Sequence, residues 1–272
     1  MKNKIFIEKI NTQNISTSTL LEMAKVQKDM WAFGLGEYVR CNCCNKIHSK
    51  KDIFGCLSSE IRRQSVDKLE GIFLGDSIKC KECYSTNTEF IHDIDKSISV
   101  FRERYKMESF LVLSYSLDGN IIGFCDGFIG KFMEIYKSEL ISHYGNIEPG
   151  FLEEKIKEKL VISDLDKMIN FSSMGTYEDF SNLNYIYDLL RGFFNSINIG
   201  KNIPGITELD KKNSLYKIYQ IIGSISLSID KTYVNNTYYG YDSDICVFPW
   251  TIIKYFNDNY DVPLKELLRR KK

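Results

Sequence analysis

The sequence predicts an α+β protein in which a mixed central sheet with flanking helices carries a small inserted zinc-ribbon-like module. Three observations point there. Apolar runs of strand-like and helix-like spacing alternate along most of the 272 residues. The pair Asp118-Gly119 separates two strongly apolar segments, the mark of an antiparallel hairpin. Two Cys-x-x-Cys pairs fall inside residues 37–96, a polar stretch with no long apolar stripe of its own.

The elements follow in order. IFIEKI reads as a short strand, and Thr19-x-x-Glu22 reads as a capping box ahead of Leu20, Met23, Ala24, Met30 and Trp31 at helical spacing, with Gly34 and Gly36 ending that helix. One helix is expected near Ser58 to Leu69. FLVLSYS and NIIGFCDGFI form the two arms of the hairpin. Phe132, Met133, Tyr136, Leu140 and Ile141 mark an amphipathic helix, and Glu153 to Leu160 a second one after Pro149-Gly150. KMINFSSM reads as a strand ending at Gly175. Ile186, Leu189, Leu190, Phe193, Phe194 and Ile197 then make a helical stripe. Next come the strand GITEL, a helix from Asn213 to Ile222, SISLSI, and a last aromatic strand from Ile245 to Trp250. The expected organisation is one domain of residues 1–36 with 97–272, and an inserted module of residues 37–96.

Composition narrows the function. With 43% hydrophobic and 26% charged residues and four prolines, the chain can bury a real core. Lys plus Arg and Asp plus Glu each number 36, so no whole-protein field steers it toward nucleic acid or an anionic membrane. MKNKIFIEKI lacks the apolar stretch of a signal peptide, and nowhere do about 18 apolar residues run together, so the expected location is the cytoplasm.

Six of the eight cysteines lie between Cys41 and Cys83. Cys41 with Cys44, and Cys80 with Cys83, each place two thiolates two residues apart, a spacing at which a tight turn aims both sulfurs at one tetrahedral ion. Four sulfurs close the shell, so the expected occupant is a structural zinc. Cys43 is left as a spare thiol, and His48, Cys56 and His92 are alternatives for one ligand. Cys125 and Cys246 read as small buried hydrophobes. Between Arg40 and Cys83 there are nine basic and six acidic side chains, an excess of three before a zinc tetrathiolate adds about two negative charges. A nearly neutral module suits stabilisation or a protein partner better than nucleic acid.

The order of elements and two local patches resemble the GNAT superfamily of acyl-CoA N-acyltransferases. The hairpin ESFLVLSYSLDGNIIGFCDGFI is similar to the family's second and third strands. Residues 213–223, NSLYKIYQIIG, are similar to its penultimate helix, with Ile218-Tyr219 and Gly223 filling the pattern and Ser224 where Phe is usual. The resemblance covers residues 4–36 and 108–250. It implies transfer of an acyl group from acetyl-CoA or another acyl-CoA to an amine. Tyr219 would protonate the departing thiolate, Asp126 or Glu134 would accept the amine proton, and backbone N–H groups near Ser173 and Met174 would polarise the carbonyl. Ser173, Met174, Gly175 and Thr176 would contact the cofactor at the family's phosphate loop, where backbone N–H groups at a glycine-rich helix start cradle phosphates. Here that stretch, residues 172–182, holds one glycine and two adjacent acids. The runner-up reading follows from this departure: the same fold without catalysis, serving as a zinc-stabilised interaction module.

Overall fold

The computed structural model describes residues 6–30, 39–49, 78–91, 93–177, 183–197, 202–211, 214–229 and 243–259, together with Val262 and Glu266. Its strands are β1 (Phe6–Ile10), β2 (Val39–Cys41), β3 (Ile47–His48), β4 (Thr88–Phe90), β5 (Glu108–Tyr115), β6 (Ile121–Gly130), β7 (Met168–Thr176), β8 (Gly205–Asp210), β9 (Ile225–Ser226) and β10 (Ser243–Phe248). The helices are α1 (Thr17–Met30), α2 (Ile94–Arg104), α3 (Phe132–Ile135), a π turn (Tyr136–Leu140), α4 (Ile141–Tyr144), α5 (Pro149–Leu160), α6 (Leu183–Ser196), α7 (Ser214–Ile222) and α8 (Trp250–Asp258).

Seven strands form one sheet in the order β1-β5-β6-β7-β8-β10-β9, and the order β3-β2-β4 makes a second, small one. Every pair in the large sheet is antiparallel except β7 with β8. This is a mixed sheet with flanking helices. Along the chain it runs strand, helices, hairpin, strand, helix, strand, helix, strands, the order the acyltransferase resemblance implies, with the helices α3 to α5 added between β6 and β7.

Alternation along the strands divides the core between two faces. Val112, Cys125, Phe171 and Phe248 point to the face covered by α6, α7 and α8, where the whole stripe Ile186, Leu189, Leu190, Phe193, Phe194 and Ile197 is buried. On the other face, Leu111, Leu113 and Phe124 meet Leu20, Met23 and Ala24 of α1 and Ile98 and Phe101 of α2. Farther along that face Met168, Ile206, Ile245 and Val247 meet Phe132, Tyr136, Leu140, Leu152 and Ile156. All ten residues of β6 are buried, as befits a strand covered on both faces.

The hairpin turns where Asp118-Gly119 places it. Gly119 adopts φ +78°, a conformation open to glycine at little cost, and its N–H donates to the Ser116 carbonyl. Several elements differ from expectation. Ser16, not Thr19, caps α1, its Oγ accepting from the Thr19 N–H at 3.0 Å. Met133 and Ile141 are exposed rather than part of a buried stripe, because the π turn resets the helical phase between them. The last strand stops at Phe248, where Pro249 caps α8 and Trp250 opens that helix. SISLSI forms a strand at Ile225 and Ser226, with the Leu227 N–H still donating to the Ile245 carbonyl of β10. α2, capped by the Asp93 carboxylate, begins at Ile94 inside the stretch read as module. The helix expected near Ser58 to Leu69, the glycines 34 and 36, Cys56 and His92 lie outside the described residues.

Candidate metal centre and candidate acyl-transfer site

Two knuckles build the cysteine cluster in the same way. In the first, Cys41 ends β2, and its sulfur accepts the N–H groups of Cys44 and Cys43, while the Cys44 sulfur accepts the Lys46 N–H. In the second, the Cys80 sulfur accepts the N–H groups of Cys83 and Glu82, and the Cys83 sulfur accepts the Ser85 N–H. Each knuckle is followed by one residue of positive φ, Asn45 at 56° and Tyr84 at 59°, which turns the chain back.

The four sulfurs all lie within 4.8 Å of one another, and the Cys41–Cys83 and Cys44–Cys80 pairs stand 3.5 Å apart. A tetrahedral ion with ~2.3 Å bonds to sulfur needs edges of about 3.8 Å, so these residues could hold one. The thiols show the charge conflict of such a cluster. The Cys44 N–H pulls Cys41 down to about 6, and the Cys83 N–H pulls Cys80 down to about 7. At Cys83 the lowering by the Ser85 N–H is outweighed by the Cys41 sulfur and by desolvation, which push it up to about 12. Four thiolates at this separation repel one another, a repulsion that a cation between them would relieve. Cys43 is exposed and faces Ser85 Oγ at 3.1 Å, and His48 Nε2 lies 3.2 Å from Cys80 Sγ.

The second candidate site is where β7 leaves β8. The two strands pair only through Ile169↔Gly205 and Asn170↔Ile206, although β7 continues to Thr176 and β8 to Asp210. A bulge on β7 helps them part: Asp126 of β6 faces Ser173 and Gly127 faces Phe171, leaving Ser172 as the extra residue. Asn170 donates to Ser172 Oγ at 2.8 Å, and Thr207 Oγ1 donates to the Phe171 carbonyl at 2.9 Å. Beyond that bond, Ser173, Met174, Gly175 and Thr176 pair with β6 on one edge and with no strand among the described residues on the other.

Tyr219 belongs to α7, whose C-terminus Gly223 closes by donating its N–H to the Tyr219 carbonyl. Its ring is 3% exposed and packs edge-to-face on Phe248 with centroids 5.1 Å apart. Burial pushes its hydroxyl well above the ordinary tyrosine range, with Cys125 of β6 and Cys246 of β10 adding to the effect. The ring belongs to the core cluster on the α6, α7 and α8 face of the sheet.

Asp126 lies on the opposite face. Its Oδ2 accepts from Arg104 at 2.9 Å and from the Tyr105 hydroxyl at 3.2 Å, and its Oδ1 has no hydrogen-bond partner among the described residues. Arg104 also donates to Ser173 Oγ at 3.1 Å and to Glu139 Oε1 at 3.1 Å. For the guanidinium, burial is outweighed by Asp126 and Glu139, so its pKa rises; for Glu139, burial outweighs Arg104, so its carboxyl also moves up. Glu134 is elsewhere: its carboxylate accepts the Lys131 N–H at the start of α3, past the end of β6 at Gly130. The structure thus brings Asp126 together with Ser173, separates both from Tyr219 by the thickness of the sheet, and leaves Glu134 as a helix cap. Arg104 and Glu139 are the members that sequence reasoning missed. A cleft of about 490 Å³, lined in part by Leu160, Asp166, Asn202 and Trp250, opens at the other end of β7 and β8.

No protein-family model matches the sequence, and no curated protein matches it. Among solved structures, arylalkylamine N-acetyltransferase 2 from Aedes aegypti is similar at 13% identity and TM-score 0.41, covering 91% of this chain and all (100%) of that one. A mutant of the spermidine N-acetyltransferase SpeG from Vibrio cholerae is similar at 10% identity and TM-score 0.37, covering 69% and 90%. A bacterial toxin is similar at 13% identity and TM-score 0.37, covering 59% and 79%. No helix among the described residues is long and apolar enough to cross a membrane.

Proposed function

We propose that this protein is an N-acyltransferase that moves an acyl group from acyl-CoA to an amine, with a structural zinc holding its Cys41, Cys44, Cys80 and Cys83 module. The observation that carries the reading is the gap between β7 and β8 beyond Asn170 and Ile206, in a chain whose order of elements matches the resemblance. At that edge Met174 and Thr176, the residues that alternate away from β6, offer backbone donors and acceptors to an extended ligand, as an open strand edge does for a peptide.

When bound, acyl-CoA supplies an activated acyl carbon and a thiolate leaving group. Tyr219, on the face covered by α7, is the group we assign as the acid for that thiolate. From the α2 face Asp126 and Glu139, joined through Arg104, supply the carboxylates toward which the amine proton moves. Met174, whose N–H alternates away from β6, offers it to the carbonyl oxygen. Glu134, engaged as a cap, has no part in this scheme.

Calorimetric titration with acetyl-CoA tests the reading: saturable heat is expected, and flat injections reject it. The second reading, an interaction module on the same fold, is favoured by Glu178 and Asp179, whose charges oppose a phosphate near them in the sequence after β7. Flat injections are what that reading predicts. Once binding is seen, Tyr219→Phe should lower kcat at least tenfold, since positioned acid catalysis contributes about 10²–10⁴-fold, while cofactor affinity stays within about twofold. An unchanged kcat on an intact fold would reject Tyr219 as the acid.

A further inference from the structure

We infer that His48 is a positioning residue for the metal centre, its Nε2–H donating to the Cys80 thiolate while the four sulfurs alone hold the ion. The inference rests on the zinc reading above. His48 lies on β3, is 3% exposed, and places Nε2 3.2 Å from the equally buried Cys80 sulfur. The backbone fixes it there, because His48 pairs with Val39 in the strand that ends at Cys41.

The chemistry assigns the roles. A metal-bound thiolate has no proton to give and only accepts hydrogen bonds, so the ring nitrogen facing it carries the hydrogen and the imidazole is the Nε2–H tautomer. The four sulfurs, mutually within 4.8 Å, already complete a tetrahedral shell, and a fifth donor has no vertex to occupy. His48 is thus not a substitute ligand. A divalent ion in four thiolates carries two net negative charges, and each N–H aimed at a sulfur disperses part of them. Cys80 then accepts three such donors, from Cys83, Glu82 and His48, while Lys46 serves Cys44 and Ser85 serves Cys83. His48 also ties the second knuckle to the small sheet directly, so the two knuckles are joined by more than the ion.

The test uses the full-length protein with its zinc and follows metal transfer to excess EDTA with a colorimetric zinc indicator. Outer-shell partners of metal ligands are typically worth 10–100-fold in affinity, so His48→Phe should release zinc about 10–100-fold faster. His48→Gln, which keeps an N–H donor, should recover part of the loss. The cobalt-substituted proteins add a readout that a merely structural role would not move: the sulfur-to-cobalt charge-transfer band should shift in His48→Phe. Should His48→Phe fail to fold, nitrogen NMR of the wild-type ring decides, since the Nε2–H tautomer is required and the Nδ1–H tautomer overturns the assignment. Equal release rates and an unshifted band in a folded variant also overturn it. Wild-type protein without stoichiometric zinc overturns the zinc reading itself, and His48 with it.

Discussion

Arg104 holds two acidic side chains from different elements, Asp126 of β6 and Glu139 of the π turn, and it is 6% exposed. Removing one partner of a buried ion pair typically costs about 3–5 kcal/mol, because the other charge stays behind without compensation. Arg104→Met should therefore destabilise the protein by about that amount in urea denaturation, with both carboxylates left without their cation. Tyr105→Phe removes a single neutral donor to Asp126 and should cost only about 1 kcal/mol. Equal costs for the two variants would mean that packing, not charge, dominates here. None of this network is legible in the sequence. Asp126 stands out as a carboxylate in an apolar strand, but its partners lie 22 residues before it and 13 after it, on elements whose contact only the fold creates. Glu134 and Glu139 sit on one helical segment, and spacing alone does not reveal that a π turn sends the later residue toward Arg104.

At the scale of elements, legibility follows the strength of local signals. The Asp118-Gly119 turn and the α6 stripe are written in contiguous residues, and their bounds agree with the sequence reading to within a residue or two. α2 and α8 escape that reading because each begins beside a segment of another kind, the polar module in one case and the aromatic strand β10 in the other. The β7 bulge has no sequence signal either, yet it accounts for a glycine. A Cβ on Gly127 would meet the Asn170 carbonyl oxygen and come within 2.9 Å of the Phe193 ring. Backbone cannot move aside as the end of a flexible side chain can. Gly127→Ala should therefore destabilise by roughly 1–3 kcal/mol, the usual cost of overpacking. Gly150, at the start of α5 with open space around it, is the control. Gly150→Ala should be neutral or stabilising by up to ~1 kcal/mol. Thermal melts of both variants check the contrast, and a Gly127→Ala protein as stable as wild type would mean that the bulge gives way.

For the whole molecule, the three hydrophobic clusters contain no residue of 39–49 or 78–91 among the described residues. Among the described residues the small sheet is three strands of two or three residues, with Val39, Cys41 and His48 buried in it and Cys80 buried beside it. The proposed ion would add its binding free energy to the folding of this part, as in small metal-dependent domains. The large sheet has cores on both faces and needs no such help. Metal removal should accordingly loosen one part of the chain and spare the other. After chelation, hydrogen exchange should speed up in residues 39–49 and 78–91 and stay within about twofold of the holoprotein in β5, β6, β7 and α6. Acid should have the same effect, because each ligand must be a thiolate to bind, so falling pH protonates the sulfurs and expels the ion. Cys80→Ser, which removes one thiolate, should reproduce the pattern at neutral pH. Exchange that rises evenly across the large sheet as well would show that the metal supports the whole fold, and the module would then be no separate unit.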